Sequence, residues 1–315
     1  MKQQNSQSEP GSKAERKVFH FLNYKWHFMA ISIFFFVASL YLLFTKGLNY
    51  GVDFLGGIKL VYQFSGDLNE GNIRGQIEGL GLGDVQVVSF GESSKRQFLI
   101  KTKAIDGRNV TDEITSKLKT LDAQAELVSE ENVGPKVGAE LRKRGVFAVV
   151  LTWVLILVYV GIRFDFLFAP GAIVALIHDI VIPIGFFALL GKEFNLPILA
   201  ALLTITGYSV NDTIVIYDRV RENLKKLPAS IPLTQVINQS LTETLSRTIV
   251  TSLTVFFVLL VVFLIGGPVL HDFAFCMLLG IVFGSYSTIF IASPVYLGLQ
   301  KIFPHHGLQR HSKKK

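Results

Sequence analysis

The sequence has little of what common enzymes use to hold nucleotides, metals or nucleophiles. Because Cys276 is the only cysteine, the chain cannot form an internal disulfide or a cysteine metal site. The motifs G-x-x-x-x-G-K-[ST], H-E-x-x-H and G-x-S-x-G are all absent, so ATP hydrolysis is not supported and an intramembrane hydrolase is a weak alternative. We expect a protein that is not an enzyme, holds no cofactor and draws energy from another source.

Charged residues are also scarce. They make up 17% of the 315 residues, whereas 50% are hydrophobic and the mean hydropathy is +0.44, which is too apolar for a soluble domain of this size. Six segments are long enough to cross a hydrocarbon layer of about 30 Å; they are 26–45, 145–162, 166–191, 194–217, 248–270 and 273–300. The exceptional residues within them are His178 and Asp179 in the third and Asp212 in the fourth.

These spans divide the chain into five parts. A polar amino-terminal tail, predicted to be disordered, precedes a first transmembrane helix that we interpret as a retained anchor rather than a cleaved signal. A soluble domain separates this helix from five further transmembrane helices, and a basic tail ends the chain. The predicted bounds of the five parts are 1–25, 26–46, 47–144, 145–300 and 301–315.

Basic residues are distributed unevenly about the spans. Both tails and the segment after the fourth span are rich in Lys and Arg, whereas the short loops on the opposite side hold only Lys192. The positive-inside rule therefore places both termini in the cytoplasm. The cluster Arg142 to Arg144 conflicts with this orientation, and we interpret its segment as an interfacial helix. Membrane orientation accounts for the net charge of +7, so no nucleic-acid partner is expected.

Residues 47–144 have the pattern of a domain that folds in water. Alternating apolar residues from Ile58 to Phe64 predict a strand, and the following segments predict a helix, two strands, a second helix and a last strand. The helical spacing predicts that Ile73, Ile77, Ile114 and Leu118 lie between helices and sheet. This β-α-β-β-α-β order predicts an α+β fold of the ferredoxin-like type between transmembrane helices 1 and 2, which does not by itself specify a function.

The motif YGVDFLGG follows the first span. Gly56 and Gly57 interrupt the start of the first strand, where they allow a sharp turn or a close approach of two backbones. We expect Asp53 to cap that turn, in preference to a role in transport.

Polar residues recur at helical spacing on the fourth and fifth spans. Thr204, Tyr208 and Asn211 lie on or beside the face of Asp212, and we expect this stripe to point toward the bundle interior. A matching stripe on the fifth span comprises Ser240, Thr244, Arg247, Thr251 and Thr254.

The two stripes offer a carboxylate and a guanidinium. Asp212 and Arg247 can form a charge pair that switches when the carboxylate is protonated. Alternatively, Arg247 marks the cytoplasmic boundary and Asp212 caps the following segment; the pattern favours neither interpretation. For His178 and Asp179 the pattern favours a hydrogen-bonded structural pair over a proton-carrying one.

The chain resembles the SecF family, the smaller membrane subunits of the SecD and SecF accessory complex of bacterial protein export. The resemblance rests on motifs in order along most of the chain, which are YGVDFLGG, VGPKVGAEL, YVGIRFDF, ALIHDI, GYSVNDTIVIYDRVREN and SLTETLSRTIVTSLT. It implies a multi-pass subunit of the inner membrane, related to the resistance-nodulation-division transporters, that uses the proton gradient to pull preproteins outward. By the same resemblance, Asp212 and Arg247 take part in proton passage.

The resemblance also implies partners. They are a SecD-like subunit, the SecYEG channel and preproteins on the periplasmic side, with YajC as a further candidate. Two other functions stay open, namely a self-contained proton-driven exporter of small molecules and a passive scaffold of the channel. The presence of only six spans favours the partnered function over the exporter, because one half of a pseudo-symmetric transporter lacks its mate.

Overall fold

A computed structural model describes residues 18–83, 85–91, 95–103, 105, 108–164 and 166–303. Most of the predicted amino-terminal tail and nearly all of the basic carboxyl-terminal tail lie outside the described residues. A single 3₁₀ turn (Phe21–Asn23) precedes the first long helix, α1 (Lys25–Thr45). The backbone N–H groups of Phe19 and Leu22 donate to the side chains of Thr242 (3.0 Å) and Asn238 (3.1 Å), so this segment is held against a helix far along the chain.

The soluble part has the elements that the sequence predicts, in the predicted order. After strand β1 (Asn49–Tyr50) and helix α2 (Val52–Leu55) come β2 (Gly57–Gln63), α3 (Glu70–Glu78), β3 (Gln86–Phe90), β4 (Gln97–Thr102), α4 (Val110–Leu121) and β5 (Glu126–Val133). The last four strands form one antiparallel sheet in the order β3-β4-β2-β5. The side chains of Ile73, Ile77, Ile114 and Leu118 are 0% exposed in its core, as predicted.

The membrane part follows directly. It contains α5 (Pro135–Arg163), α6 (Ala169–Leu190), strand β6 (Glu193–Phe194), α7 (Leu196–Lys226), α8 (Leu233–Ile265), α9 (Gly267–Ser287) and α10 (Ser293–Ile302), with a π-helix at Thr288–Ala292 between the last two. In the described part of the chain, six helical runs are long and apolar enough to cross a membrane. They are α1, α5, α6, α7, α8 and the run of α9 through α10, at the predicted places.

The second span differs from its prediction at its beginning. In place of an interfacial helix that ends before residue 145, α5 is continuous from Pro135, because no further proline interrupts it. Two residues of the basic cluster Arg142 to Arg144 contact other side chains in this helix or beside it. Arg142 lies 5.5 Å from the centre of the Tyr50 ring, and Arg144 pairs with Glu140 at 2.8 Å. These contacts stabilise positive charge on the side opposite to the basic tails.

The YGVDFLGG segment also differs from expectation. Asp53 does not cap the local turn; its carboxylate pairs with Lys59 and accepts a hydrogen bond of 3.0 Å from the backbone N–H of Leu196. The turn itself depends on Gly56 and Gly57, whose φ angles are +83° and +150°. Residues with a side chain rarely adopt such angles. The sequence identified the turn correctly, but it gave no sign of the distant partner of Asp53.

Candidate functional site

Asp212 lies near the middle of α7 and is only 4% exposed. Among the described residues, its Oδ2 atom has no hydrogen-bond partner. An ionised carboxylate at the centre of a membrane helix costs about 2.5–3.5 kcal/mol on insertion scales. Because a buried polar oxygen without a partner is unfavourable, this carboxyl group needs a proton, a water molecule or a cation. Among the buried side-chain atoms of the described residues that lack a hydrogen-bond partner, its Oδ2 is the only carboxylate oxygen.

Arg247 lies on α8, which packs beside α7, and its side chain is exposed. Both residues are described by the structure, and no direct ion pair joins them, although the guanidinium is near enough to attract the carboxylate. The charge pair that the sequence allows is therefore open in this conformation. Closing it requires the two side chains to approach each other.

The polar stripe on α7 does not point where the sequence analysis expects. Thr204 and Asn211 are exposed on the outside of the helical bundle, and Thr204 donates its hydroxyl to its own helix at Ala200 (2.8 Å). On α8, Arg247 and Thr254 are exposed as well. Thr204 and Asn211 thus lack the expected inward orientation in this chain, because helical spacing identifies a face of a helix but not the side of the bundle on which it lies.

These four residues, Thr204, Asn211, Arg247 and Thr254, are called the outer polar face. Hydrocarbon is a poor environment for such groups, and polar side chains in membrane helices usually face protein or water. The outer polar face therefore indicates that something other than lipid covers this side of the bundle.

Tyr208 connects this face to Asp212. It lies one turn before Asp212 on α7, and its hydroxyl is close to Thr251 and Ser252 of α8 without forming a good hydrogen bond to either. Thr251 donates to the backbone of Arg247 at 2.9 Å. The structure thus brings Tyr208, Asp212, Arg247 and Thr251 together where α7 and α8 meet.

His178 and Asp179 form a second polar cluster, inside the bundle. The Nδ1 atom of His178 lies 2.8 Å from Oδ1 of Asp179, and Asp179 is 0% exposed. Its Oδ2 accepts hydrogen bonds from Ser209 of α7 (2.6 Å) and Ser287 of α9 (2.8 Å). The favoured structural role of this pair is consistent with such complete hydrogen bonding, but the pairing does not test whether it carries protons.

The same network continues toward α1. Nε2 of His178 lies 3.3 Å from the hydroxyl of Tyr286, which lies 2.8 Å from the hydroxyl of Ser32. If Nδ1 carries the imidazole proton, His178 donates to Asp179 and accepts from Tyr286, so every member of the chain is satisfied. The network therefore joins α1, α6, α7 and α9 through buried hydrogen bonds.

Ser209 is the residue that sequence reasoning missed. It donates to Asp179 and precedes Asp212 by three residues, so it lies between the two buried carboxylates. A signal was present, because Ser209, Asp212 and Thr213 have the i, i+3, i+4 spacing of one helix face. Ser287, Tyr286 and Ser32 gave no comparable signal, since isolated hydroxyl residues are common in membrane helices.

The described residues contain no group of three or more His, Cys, Asp or Glu side chains that could hold a metal ion. The thiol of Cys276 is fully buried. The polar groups that the structure brings near Asp179 and Asp212 are thus the imidazole of His178, the guanidinium of Arg247 and several hydroxyl groups.

Comparison with known proteins identifies the family. Residues 113–302 match the family described as "Protein export membrane protein SecD/SecF, C-terminal", and residues 41–67 match the "SecD/SecF GG Motif". The first range contains Asp212, Arg247, His178 and Asp179, and the second contains Asp53 with both glycines of the turn.

Curated relatives share this match over nearly their whole length. The protein translocase subunit SecF of Calditerrivibrio nitroreducens is 45% identical over 277 residues, which are 86% of this chain and 90% of the relative. The protein of the same name from Vibrio alginolyticus is 41% identical over 295 residues, 92% of each chain.

Two solved structures support the same family. The crystal structure of SecDF, a translocon-associated membrane protein from Thermus thermophilus, superposes with a TM-score of 0.78 at 35% identity, covering 93% of this chain. A second crystal structure, of SecDF in a super-membrane-facing form, has a TM-score of 0.69 at 34% identity and covers 94% of this chain. This chain spans 40% and 41% of the length of those two chains. It belongs to the SecD/SecF family of protein export membrane proteins.

Proposed function

We propose that this chain is a subunit of the accessory complex of the Sec translocase and uses the proton gradient to promote export of preproteins across the inner membrane. Family membership supports the role in export. The observation that supports proton coupling is Asp212, a buried carboxylate in a membrane helix whose Oδ2 has no hydrogen-bond partner in the described structure. The proposed coupling species is the proton, without a resident cofactor or an enzymatic reaction of the chain itself.

The proposed cycle depends on the charge of Asp212. When the carboxyl group is protonated it is neutral, and its burial between α7 and α8 is favourable. When it loses the proton, the negative charge attracts Arg247 and favours closing the open pair. Protonation thus changes the preferred arrangement of two long helices, which is how a bound proton can do mechanical work.

A SecD-like subunit is the proposed partner. The outer polar face requires a cover that is more polar than lipid, and the matched SecDF chains are more than twice as long as this one. We further propose contact with the SecYEG channel and with preproteins, and YajC as a further candidate partner.

The proposed orientation has both termini in the cytoplasm and the soluble domain in the periplasm. It is supported by the basic residues of the tails and of the segment after α7. We assign the domain to the ferredoxin-like type, because its element order and its sheet order β3-β4-β2-β5 are those of two interleaved βαβ units.

The test is a charge-neutral substitution with a matched control on the same helix. Asp212→Asn keeps shape and hydrogen bonding but cannot titrate, whereas Asp218→Asn removes an exposed carboxylate from the same helix. We expect Asp212→Asn to abolish the gradient-dependent component of export with normal accumulation and partner binding, and Asp212→Glu to retain part of it. Wild-type export by Asp212→Asn, with unchanged sensitivity to an uncoupler, would favour the passive scaffold instead.

A further inference from the structure

The segment between α1 and the soluble domain is attached to the amino-terminal end of α7. In this junction segment (residues 49–57), Oδ2 of Asp53 accepts a hydrogen bond of 3.0 Å from the backbone N–H of Leu196, the first residue of α7. Oδ1 of the same carboxylate pairs with Lys59 of β2. A negative side chain at a helix amino terminus is favourable, because the first N–H groups have no partner within the helix. Here that side chain comes from 143 residues away.

Further contacts hold the same end of α7 to the junction segment. Strand β1 pairs in parallel with β6, the last residues before α7, and Gly51 donates its N–H to the carbonyl of Phe194 at 2.9 Å. The ring of Phe54 stacks on that of Phe194 at 5.6 Å. Glu193 also pairs with Lys101 of β4, so the sheet itself contacts this loop.

The other side of the junction segment is wedged against α5. A Cβ atom on Gly56 would lie 2.7 Å from the backbone of Pro135, and one on Gly138 would lie 2.9 Å from the backbone of Gly56. Contacts this close exclude any side chain. The two glycines therefore let the junction segment fit between the start of α5 and the start of α7, where it is fixed to both.

The attached helix is the one that carries Asp212. α7 is continuous from Leu196 to Lys226, and Asp212 lies 16 positions after Leu196, which is about 24 Å along the helix. A rigid movement of α7 that alters the surroundings of Asp212 must therefore displace Leu196 as well. Because Asp53 holds Leu196, that displacement reaches the soluble domain.

We propose that Asp53 is a positioning residue that couples the soluble domain to α7, so that proton-linked movement of this helix drives movement of the domain. The inference rests on the proposed proton-coupled function and extends it to the outer side of the membrane. It gives the residues of the YGVDFLGG turn distinct roles: the glycines let the segment pack against α5, and the carboxylate binds the start of α7.

The chain supplies a matched control for this carboxylate. Asn195 caps the same end of α7 from within the loop, with its Oδ1 accepting from the N–H of Ile198 at 3.2 Å. Asp53→Ala and Asn195→Ala each remove one side-chain acceptor from the same helix terminus. Only Asp53→Ala removes an acceptor that belongs to the junction segment.

Export is measured with full-length chain in its native membrane, with and without a proton gradient. We expect Asp53→Ala to lower the gradient-dependent component at least about fivefold, the lower end of usual coupling energies, with the gradient-independent component unchanged. Asn195→Ala should retain most of the gradient-dependent component. Retention of that component by Asp53→Ala, or equal loss in both variants, would overturn the inference.

A second pair of variants tests the hydrogen bond from the donor side and covers the case in which Asp53→Ala does not accumulate. Leu196→Pro removes the N–H group itself at a position where proline suits a helix, and Leu196→Ala removes the side chain but keeps the N–H. The loss of gradient-dependent export should follow Leu196→Pro and not Leu196→Ala. Equal behaviour of these two variants would also contradict the inference.

Asp212→Asn in the same assay separates this inference from the proposed function. If Asp212→Asn keeps the gradient-dependent component, proton coupling through Asp212 is wrong, and so is the coupling built on it. If Asp212→Asn loses that component and Asp53→Ala keeps it, only the positioning role of Asp53 is wrong.

Discussion

At the scale of single residues, Asp179 and Asp212 are both buried in membrane helices but have opposite hydrogen-bond environments. Asp179 accepts from Ser209 and Ser287 and contacts His178, whereas Oδ2 of Asp212 has no partner in the described structure. A carboxylate with several donors is stabilised in its charged form, and one without them is not. The two groups therefore differ: Asp179 links α6, α7 and α9 through hydrogen bonds, and Asp212 is the group on which the proposed proton coupling depends.

This difference predicts unequal costs for two serine-to-alanine changes on α9. Ser287 donates to the Asp179 carboxylate, whereas Ser285 donates to the neutral hydroxyl of Ser252 at 2.9 Å. Hydrogen bonds between membrane helices are worth about 0.6 kcal/mol on average, and those to ionised groups are roughly twice as strong as neutral ones. Ser287→Ala should therefore lower the free energy of unfolding about twice as much as Ser285→Ala.

The measurement is unfolding of the purified chain by titration with sodium dodecyl sulfate, followed by circular dichroism. Equal costs for the two substitutions would contradict a special role of the Asp179 hydrogen bonds in holding the helices together, and the distinction between the two carboxyl groups would fail.

At this scale, the sequence identified which polar residues are unusual in a membrane helix, but not which side of the helical bundle each of them faces. Asp212 stood out because a carboxylate in an apolar helix is costly, and it is buried as expected. Thr204 and Asn211 were assigned to the interior but are exposed, because a spacing pattern contains no information on neighbouring helices. The bond from Asp53 to Leu196 was unpredictable, since it depends on how two distant segments pack.

At the scale of secondary-structure elements, one acidic residue at the end of α4 holds two connecting segments of the soluble domain together. Asp122 accepts backbone hydrogen bonds from Ser65 (2.7 Å), Gly66 (3.0 Å) and Gln124 (2.9 Å). The N–H of Gly66, followed by those of Gln124 and Ser65, holds the pKa of the Asp122 carboxyl group below its ordinary value. The charged form thus ties the end of β2 to the turn before β5.

The lowered pKa predicts how stability depends on pH. Because the folded-state pKa is below the unfolded one, the contribution of Asp122 is fully present above the unfolded value of about 3.9. It is lost as the pH falls through the lower, folded-state pKa. Asp122→Asn should therefore flatten the acid side of the stability curve of the soluble domain.

Thermal unfolding of the full-length chain is recorded from neutral to acidic pH, with the signal taken from a fluorophore attached to the soluble domain. Glu126→Gln, a change of the same charge on β5, serves as control and should leave the acid dependence close to that of the wild type. An acid limb in Asp122→Asn as steep as that of the wild type would show that these three hydrogen bonds do not depend on the charge of Asp122.

Elements were the most predictable part of the fold. Long apolar runs and the change from alternating to helical periodicity gave every long helix and the order of the strands. Boundaries were harder where no residue breaks the helix, so α5 begins at Pro135 and not near residue 145. The π-helix at Thr288–Ala292 had no signal, because an inserted residue in a uniformly apolar run leaves composition and spacing almost unchanged.

At the scale of the whole molecule, the arrangement of the membrane helices and the soluble domain indicates one part of a larger complex. The outer polar face is open on one side of the bundle, while the junction segment fixes the soluble domain to α5 and α7 on one side of the membrane. In the proposed cycle, a change at Asp212 can pass out of this chain in two ways: to a partner subunit through Arg247, or to the soluble domain through Asp53. The proposed role in export requires the soluble domain to lie outside the inner membrane and the link between α7 and α8 to lie in the cytoplasm.

That requirement predicts the accessibility of two serines. Ser116 is exposed on α4 and Ser230 is exposed between α7 and α8, and the buried Cys276 is removed by Cys276→Ala so that one introduced thiol remains. In this background, Ser116→Cys should react with a membrane-impermeant maleimide in intact cells whose outer membrane is opened, because the positive-inside rule places the soluble domain outside. Ser230→Cys should react only after the inner membrane is permeabilised. Labelling of Ser230→Cys before the inner membrane is permeabilised would show that the orientation is reversed. A proton moving down its gradient would then reach Asp212 from the side of the membrane opposite to the soluble domain.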